Sequence, residues 1–206
     1  MRTELEKRCL TLSYENGLSH ISSVLTSVGL IDHVYNTKAD EDIFVLGNSH
    51  AALALFVVLE KHGVANAQEL IEKHGTHAMR DIENEIWVSG GSLGQAECVA
   101  VGLAMADSTR NVYLLTSDGA CAEGSIWEAL AIARKQRLEN LRIQVVANGY
   151  SAYGKVDVDD LDARLNSFYP TLVTKVNLFS YPDFLQRTDG HYVVMNEKQY
   201  KEAMNG

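Results

Sequence analysis

The feature that most constrains this chain is the alternation of short, fully apolar runs with longer segments of helical period. Ile43-Phe44-Val45-Leu46, Val112-Tyr113-Leu114-Leu115 and Ile143-Gln144-Val145-Val146-Ala147 are each bounded by polar residues or glycine. Runs this short, with little polar alternation, fit strands buried on both faces, as in a parallel sheet. The segments between them have helical spacing. Residues 22–35 carry Val24, Leu25, Val28, Ile31 and Val34, and residues 51–59 are nearly all apolar. Residues 93–105 are rich in Ala, Val and Leu, and residues 125–137 set Ile126, Trp127, Leu130 and Ile132 on an inward face. Strands that alternate with helices make βαβ units, so the expected fold is α/β, a three-layer parallel sheet flanked by helices. Thr171-Leu172-Val173-Thr174-Lys175-Val176 alternates as a further strand, and residues 197–204 read as a short polar helix. Residues 179–190 show no clear period. No domain boundary is seen, so the 206 residues are read as a single domain.

Composition narrows the function classes. A hydrophobic content of 46% supports a real core. The net charge of -9, from 18 basic and 27 acidic residues, disfavours nucleic acid or an anionic membrane as the main partner. A small anionic ligand stays open, because a local site can use backbone amides. Cys9, Cys98 and Cys121 have no metal-ligand spacing. Their odd number, without a signal peptide, fits reduced thiols and a cytoplasmic location. No apolar stretch approaches the ~20 residues of a membrane span.

Open α/β sheets bind ligands beyond the C-terminal ends of their strands. Two such places here have suitable chemistry. Thr116-Ser117-Asp118-Gly119-Ala120-Cys121-Ala122-Glu123-Gly124-Ser125 follows a strand and opens a helix. Asp118 can hold a hard cation, and Gly119 lets the backbone approach a phosphate. The helix after Gly124 offers free amides to an anion. Asn148-Gly149-Tyr150 also follows a strand, and Asn148 can give a carbonyl oxygen to the same cation. Asp-Gly and Asn-Gly are common in ordinary turns too. That both follow strands of one sheet points to a ligand, but composition leaves its identity open.

Here the sequence resembles the transketolase family. Asp118-Gly119 with Glu123-Gly124-Ser125-Ile126-Trp127-Glu128-Ala129 looks like that family's thiamine diphosphate motif, and Asn148 follows at the family's interval. Gly91-Ser92-Leu93-Gly94-Gln95 is similar to its glycine-leucine-glycine-glutamine loop. Val45-Leu46-Gly47-Asn48-Ser49-His50 and His20-Ile21-Ser22-Ser23 resemble two of its histidine segments. His77 sits where the family has a Gly-His-Pro histidine, and His191-Tyr192 resembles a pair near the end of such subunits. The likeness runs in colinear order over roughly residues 12–150. The chain departs from the pattern at Ser19, Ser49, Ala96, Ser117, Ala120 and Tyr150, and the part from about residue 151 is shorter than in the family.

The resemblance implies thiamine diphosphate with Mg²⁺ (or Ca²⁺) as cofactors. Asp118, Asn148 and the Tyr150 carbonyl would bind the metal. Gly91, Leu93, Gly119, Asn148 and His191 would meet the cofactor. His20, His50 and His77 would face its diphosphate or a free or phosphorylated sugar. The implied reaction moves a two-carbon ketol unit between sugars. In the family the glutamate that activates the aminopyrimidine lies in a pyrimidine-binding domain, and nothing in this chain looks like that domain. A split enzyme is therefore expected, in which a separate pyrimidine-domain subunit completes the site and the assembly is a heterotetramer or has a homodimer core. Two alternatives are one component of a ketoacid decarboxylase or dehydrogenase and a non-catalytic scaffold relative. The His20, His50 and His77 set, with the Gly-Ser-Leu-Gly-Gln loop, argues against the first. The substitutions and shortened tail keep the second open.

Overall fold

The structure, a computed structural model, describes residues 2–151, 153–186 and 188–206. The described helices are α1 (Glu4–Glu15), α2 (Ile21–Thr37), α3 (Ala52–Lys61), α4 (Ala67–His74), α5 (Gln95–Ala106), α6 (Gly124–Gln136), α7 (Val158–Phe168) and α8 (Glu197–Met204). The strands are β1 (Ile43–Leu46), β2 (Val112–Ser117), β3 (Leu141–Ala147), β4 (Tyr150–Ser151), β5 (Gly154–Lys155) and β6 (Thr171–Lys175). Contacts group them into two units. One comprises Met1–Asn36, His50–Ala78 and Asn177–Gly206, and the other Thr37–Ser49 and Met79–Val176.

The second unit holds the sheet. Its order is β1-β2-β3-β6, every pair parallel. Ile43 lies beside Val112, Val112 beside Leu141, and Ile143 beside Thr171. On one face Ile43, Val45, Val112, Leu114, Leu141, Ile143 and Val145 pack with apolar residues of α5, α6 and α7. Ala96, Ala100 and Ala104 recur every fourth residue along α5, and this small-residue stripe lets the helix lie close to its neighbours. Phe44, Leu46, Leu115 and Val146, which point the other way, are buried as well. That double burial explains the near absence of polar alternation in these strands. The fold is thus α/β with a parallel sheet flanked by helices.

Polar clamps align the strands. The buried Asp42 carboxylate accepts from the amides of Asn111 at 2.7 Å and Ala39 at 3.1 Å, which sets the start of β1 against that of β2. The Asn140 side chain donates to the carbonyls of Ala104, Asp107 and Arg110. With the entries fixed, Gly47, Asp118 and Asn148 emerge together at the C-terminal edge of the sheet.

The first unit is helical. The Thr3 hydroxyl accepts from the Glu6 amide, and the Glu6 carboxylate accepts from the Thr3 amide, a reciprocal cap on α1. Asn66 caps α4, and Asn196 with Gln199 caps α8. α1 packs against α3 and α8, with Tyr14 and Tyr200 stacked at 4.6 Å. Thr11 and Tyr200 share a hydroxyl hydrogen bond. α3 is apolar throughout its buried span because Leu53, Phe56, Val57 and Val58 are enclosed on all sides. Among the described residues no helix is long and apolar enough to cross a membrane.

Candidate functional site

In the sheet unit, Asp118 stands just past β2 with 2% of its surface exposed. One carboxylate oxygen accepts from the Gly119 amide at 3.0 Å. The other accepts from the amides of Asn148 at 2.9 Å and Gly149 at 2.7 Å. Burial nevertheless pushes this carboxyl up to about 6, against the pull of the amides. Asn148 folds its side-chain oxygen back onto the Tyr150 amide at 2.9 Å, and Gly149 takes a φ of +84° to allow the turn. The hairpin of β4 and β5 follows. The two motifs picked out in the sequence are therefore one constellation, joined through the Asp118 carboxylate.

Gly119 has an ordinary φ of -62°, so its backbone does not require glycine. A Cβ there would lie 3.6 Å from Ser117 Oγ and 4.0 Å from the Tyr150 carbonyl oxygen, which is normal contact. What the missing side chain leaves open is space beside that carbonyl. Its amide is taken by Asp118, so Gly119 offers a ligand close approach more than a free donor.

The loop before α5 is tightly held. A Cβ on Gly90 would come within 1.9 Å of the Ser49 Cβ. At Gly94, where φ is +82°, a Cβ would come within 2.4 Å of Ser125 Oγ and 2.8 Å of the Glu123 Cβ. Ser125 Oγ donates to the Gly94 carbonyl at 3.0 Å. Gly91 is exposed with φ of +123°, and Leu93 is half-buried.

The helical unit gathers the histidines. His20 lies with its ring centroid 4.3 Å from His191, 5.4 Å from His50 and 6.0 Å from His77. His50 and His191 are 4.8 Å apart. Ser19 Oγ meets His20 Nδ1 at 2.6 Å, and Ser23 Oγ meets His191 Nδ1 at 3.4 Å. His20 has a left-handed φ of +66°, and its amide donates to the His191 carbonyl at 2.9 Å. That conformation costs a non-glycine residue roughly 1–2 kcal/mol. Burial, with neighbouring imidazoles second, lowers His20 to about 4 and His50 to about 3, and burial lowers His191. At neutral pH these three rings are uncharged donors and acceptors, suited to hydroxyls and phosphate oxygens. Among the described residues no group of three or more His, Cys, Asp or Glu side chains is arranged to hold a metal ion.

Sequence reasoning named His20, His50, His77 and His191, which the fold brings together, but not the serines that contact two of the rings. It also passed over Glu97, a carboxyl with 1% exposure in the first turn of α5. Its sequence signal was weak, since an acidic residue in a first helical turn is ordinary on a surface. Cys121 is buried, and its thiol is pushed up to about 12, chiefly by desolvation.

A parallel α/β sheet with an acid and an amide at adjacent strand ends defines the class, a ligand-binding α/β fold. Comparison with known proteins gives the family. The model of the transketolase thiamine diphosphate binding domain matches residues 15–174. The chain belongs to that family. It is 31% identical over 162 residues to the 6-deoxy-6-sulfo-D-fructose transketolase subunit SqwG of Clostridium sp., covering 74% of this chain and 56% of that protein. It is 29% identical over 157 residues to one of the subunits of the apulose-4-phosphate transketolase of Phocaeicola vulgatus, covering 66% and 55%. The transketolase of Leishmania mexicana superposes with a TM-score of 0.64 at 20% identity, over 85% of this chain and 37% of that one, and shares the fold. The aligned part thus spans little more than half of the two curated relatives.

Proposed function

We propose that this chain is the thiamine diphosphate- and Mg²⁺-binding subunit of a split transketolase-like enzyme that moves a two-carbon ketol unit between free or phosphorylated sugars. The observation that carries the reading is the Asp118 constellation, a buried carboxylate fixed by the amides of Gly119, Asn148 and Gly149. Its donor set suits the metal. Asp118, the Asn148 side-chain oxygen and the Tyr150 carbonyl are all oxygen ligands, which Mg²⁺ or Ca²⁺ prefers. A divalent cation would hold the Asp118 carboxyl ionised against its desolvation.

Bound thiamine diphosphate would supply the carbon nucleophile of the reaction. The chain's own work is binding and orientation. Gly119 leaves room for the diphosphate, Gly91 and Leu93 line the cofactor, and His191 contacts it. His20, His50 and His77 hydrogen-bond sugar hydroxyls or phosphate oxygens, and the neutral rings of His20 and His50 do so without the desolvation cost of a buried imidazolium. We read the chain as a single diphosphate-binding domain. The carboxylate that activates the aminopyrimidine comes from a separate pyrimidine-domain partner. The two curated relatives named as transketolase subunits support this division.

The exposed faces of α5 and α6 support association. Val99 is 41% and Met105 49% exposed, and Ile132, expected from the sequence on the inward face, is instead 46% exposed because Ala129 and Ala133 take the buried positions beside Ile126 and Leu130. Apolar surface of this kind on neighbouring helices fits a partner or a second copy, giving a heterotetramer or a homodimer core.

Calorimetric titration of thiamine diphosphate with and without Mg²⁺ tests the reading. Asp118→Ala is expected to weaken Mg²⁺-dependent binding by at least about tenfold. Unchanged affinity in that variant refutes the metal assignment.

A further inference from the structure

Glu97 has no place in the reading above, yet it is among the most deeply buried side chains, with 1% exposure. One of its carboxyl oxygens is in short contact with the Thr116 hydroxyl. The other is buried without a hydrogen-bond partner among the described residues. An ionised carboxylate left in that state would be strongly unfavourable, so the group is a neutral acid. Burial moves its pKa in that direction.

The surroundings are cut to fit this carboxyl. A Cβ at position 47 would fall 2.6 Å from Glu97 Oε1 and 2.7 Å from Thr116 Oγ1, so Gly47 is the residue that makes room for the pair. Three elements therefore meet at one hydrogen bond: the exit of β1, the C-terminal end of β2 and the first turn of α5. Each has a short lever to the proposed site. Thr116 is two residues before Asp118. Gly47 is two before Ser49, against which Gly90 is packed. Glu97 is three after Gly94, where the glycine loop ends.

We propose that Glu97 is a positioning residue, pinning the loop of Gly91 and Leu93 to the strand end that carries Asp118. It touches no ligand. Its effect on cofactor affinity, which rests on the function proposed above, is to hold the two cofactor-facing segments at a fixed separation. An apolar residue could fill the same volume, but it could not make the directional bond to β2.

The test separates this role from mere core filling. The double variant Glu97→Leu with Thr116→Val removes both polar groups together and keeps the volume, so neither partner is left unpaired. Its melting temperature should stay close to wild type. Hydrogen exchange at the amides of residues 91–96, measured on the full chain, should accelerate by at least about tenfold, and affinity for thiamine diphosphate with Mg²⁺ should fall by at least about tenfold. Glu97→Gln, which keeps a neutral group able to bond Thr116, should restore both to within about threefold. Wild-type exchange in the folded double variant overturns the proposal. If the double variant does not fold, Thr116→Val alone, read by the same exchange measurement, decides the matter in the same way. If the wild-type chain binds no thiamine diphosphate, the function reading fails while the exchange result still decides the clamp.

Discussion

Gly94→Ala gives a sharp check on the loop geometry. Two independent effects act there. The left-handed backbone, with φ of +82°, is disfavoured for alanine by roughly 1–2 kcal/mol. The new Cβ would lie 2.4 Å from Ser125 Oγ and 2.8 Å from the Glu123 Cβ. The Ser125 hydroxyl can rotate away, but Glu123 Cβ is fixed close to the backbone, so the contact forces a local shift costing roughly 1–3 kcal/mol. The expected destabilisation is the sum, roughly 2–5 kcal/mol, or roughly 4–20 °C in melting temperature for a chain of this size. Gly102 on the same helix is the internal control. It has nothing within 4 Å of its hypothetical Cβ and no left-handed φ, so Gly102→Ala should stabilise by up to about 1 kcal/mol. Urea denaturation of the purified chain reads both, with unchanged m-values expected. A Gly94→Ala loss below about 0.5 kcal/mol, or a Gly102→Ala change of the same sign and size, would refute the packing argument.

Three further outcomes follow. His20 and His50 titrate in the folded chain near 4 and 3, below the ordinary value near 6.5, so the unfolded chain takes up protons first. Their contribution is intact above about pH 6.5, declines as pH falls through that value and levels off below about pH 3–4. Asp118 and Glu97, raised by burial, act in the opposite sense, so the histidine part is read as the shallower acid loss of His50→Gln in thermal melts from pH 7 to pH 5. The purified chain alone should show no ketol transfer in a coupled ketose phosphate assay, and a pyrimidine-domain partner should restore it; turnover by the chain alone at about 1 per second or more would end the split-enzyme reading. Light scattering should show an oligomer with partner present, and Cys98, exposed on α5, should lose reactivity to thiol reagents on assembly while buried Cys9 and Cys121 stay slow throughout. A strictly monomeric species at micromolar concentration in both samples would defeat the association proposal.

The sheet was legible because each strand is short, apolar and ended by a turn residue, and the observed β1, β2, β3 and β6 fall on the four runs read from the sequence, with ends shifted by at most two residues. α1, α4 and α7 were not legible. α7 is mostly acidic and polar, and only Leu161 and Leu165 are buried along it, a two-residue stripe too thin to stand out. α4 likewise buries only Ala67, Leu70 and Ile71. Asp118 and Asn148 could be paired in advance because both follow strands of one parallel sheet. The histidines could not be paired on physical grounds, since their meeting depends on helices joined through distant segments; only the family resemblance put them forward. Glu97 was hidden by its setting, an alanine-rich helix whose one acid reads as a solvated first-turn residue.

The pairing of α1 with α8 bears on how the chain is made. Thr11 and Tyr200, which hydrogen-bond to each other, are 189 positions apart. During synthesis at roughly 5–20 residues per second, the apolar side of the first helix is finished well before the helix that covers it exists. Closing so long a loop is entropically unfavourable early and rewarded only at the end. The helical unit can therefore be completed only once the segment Asn177–Gly206 has been made. A ribosome-stalled chain ending before residue 177 should hold α1 in a protease-sensitive, chaperone-binding state even where the sheet unit is already protected.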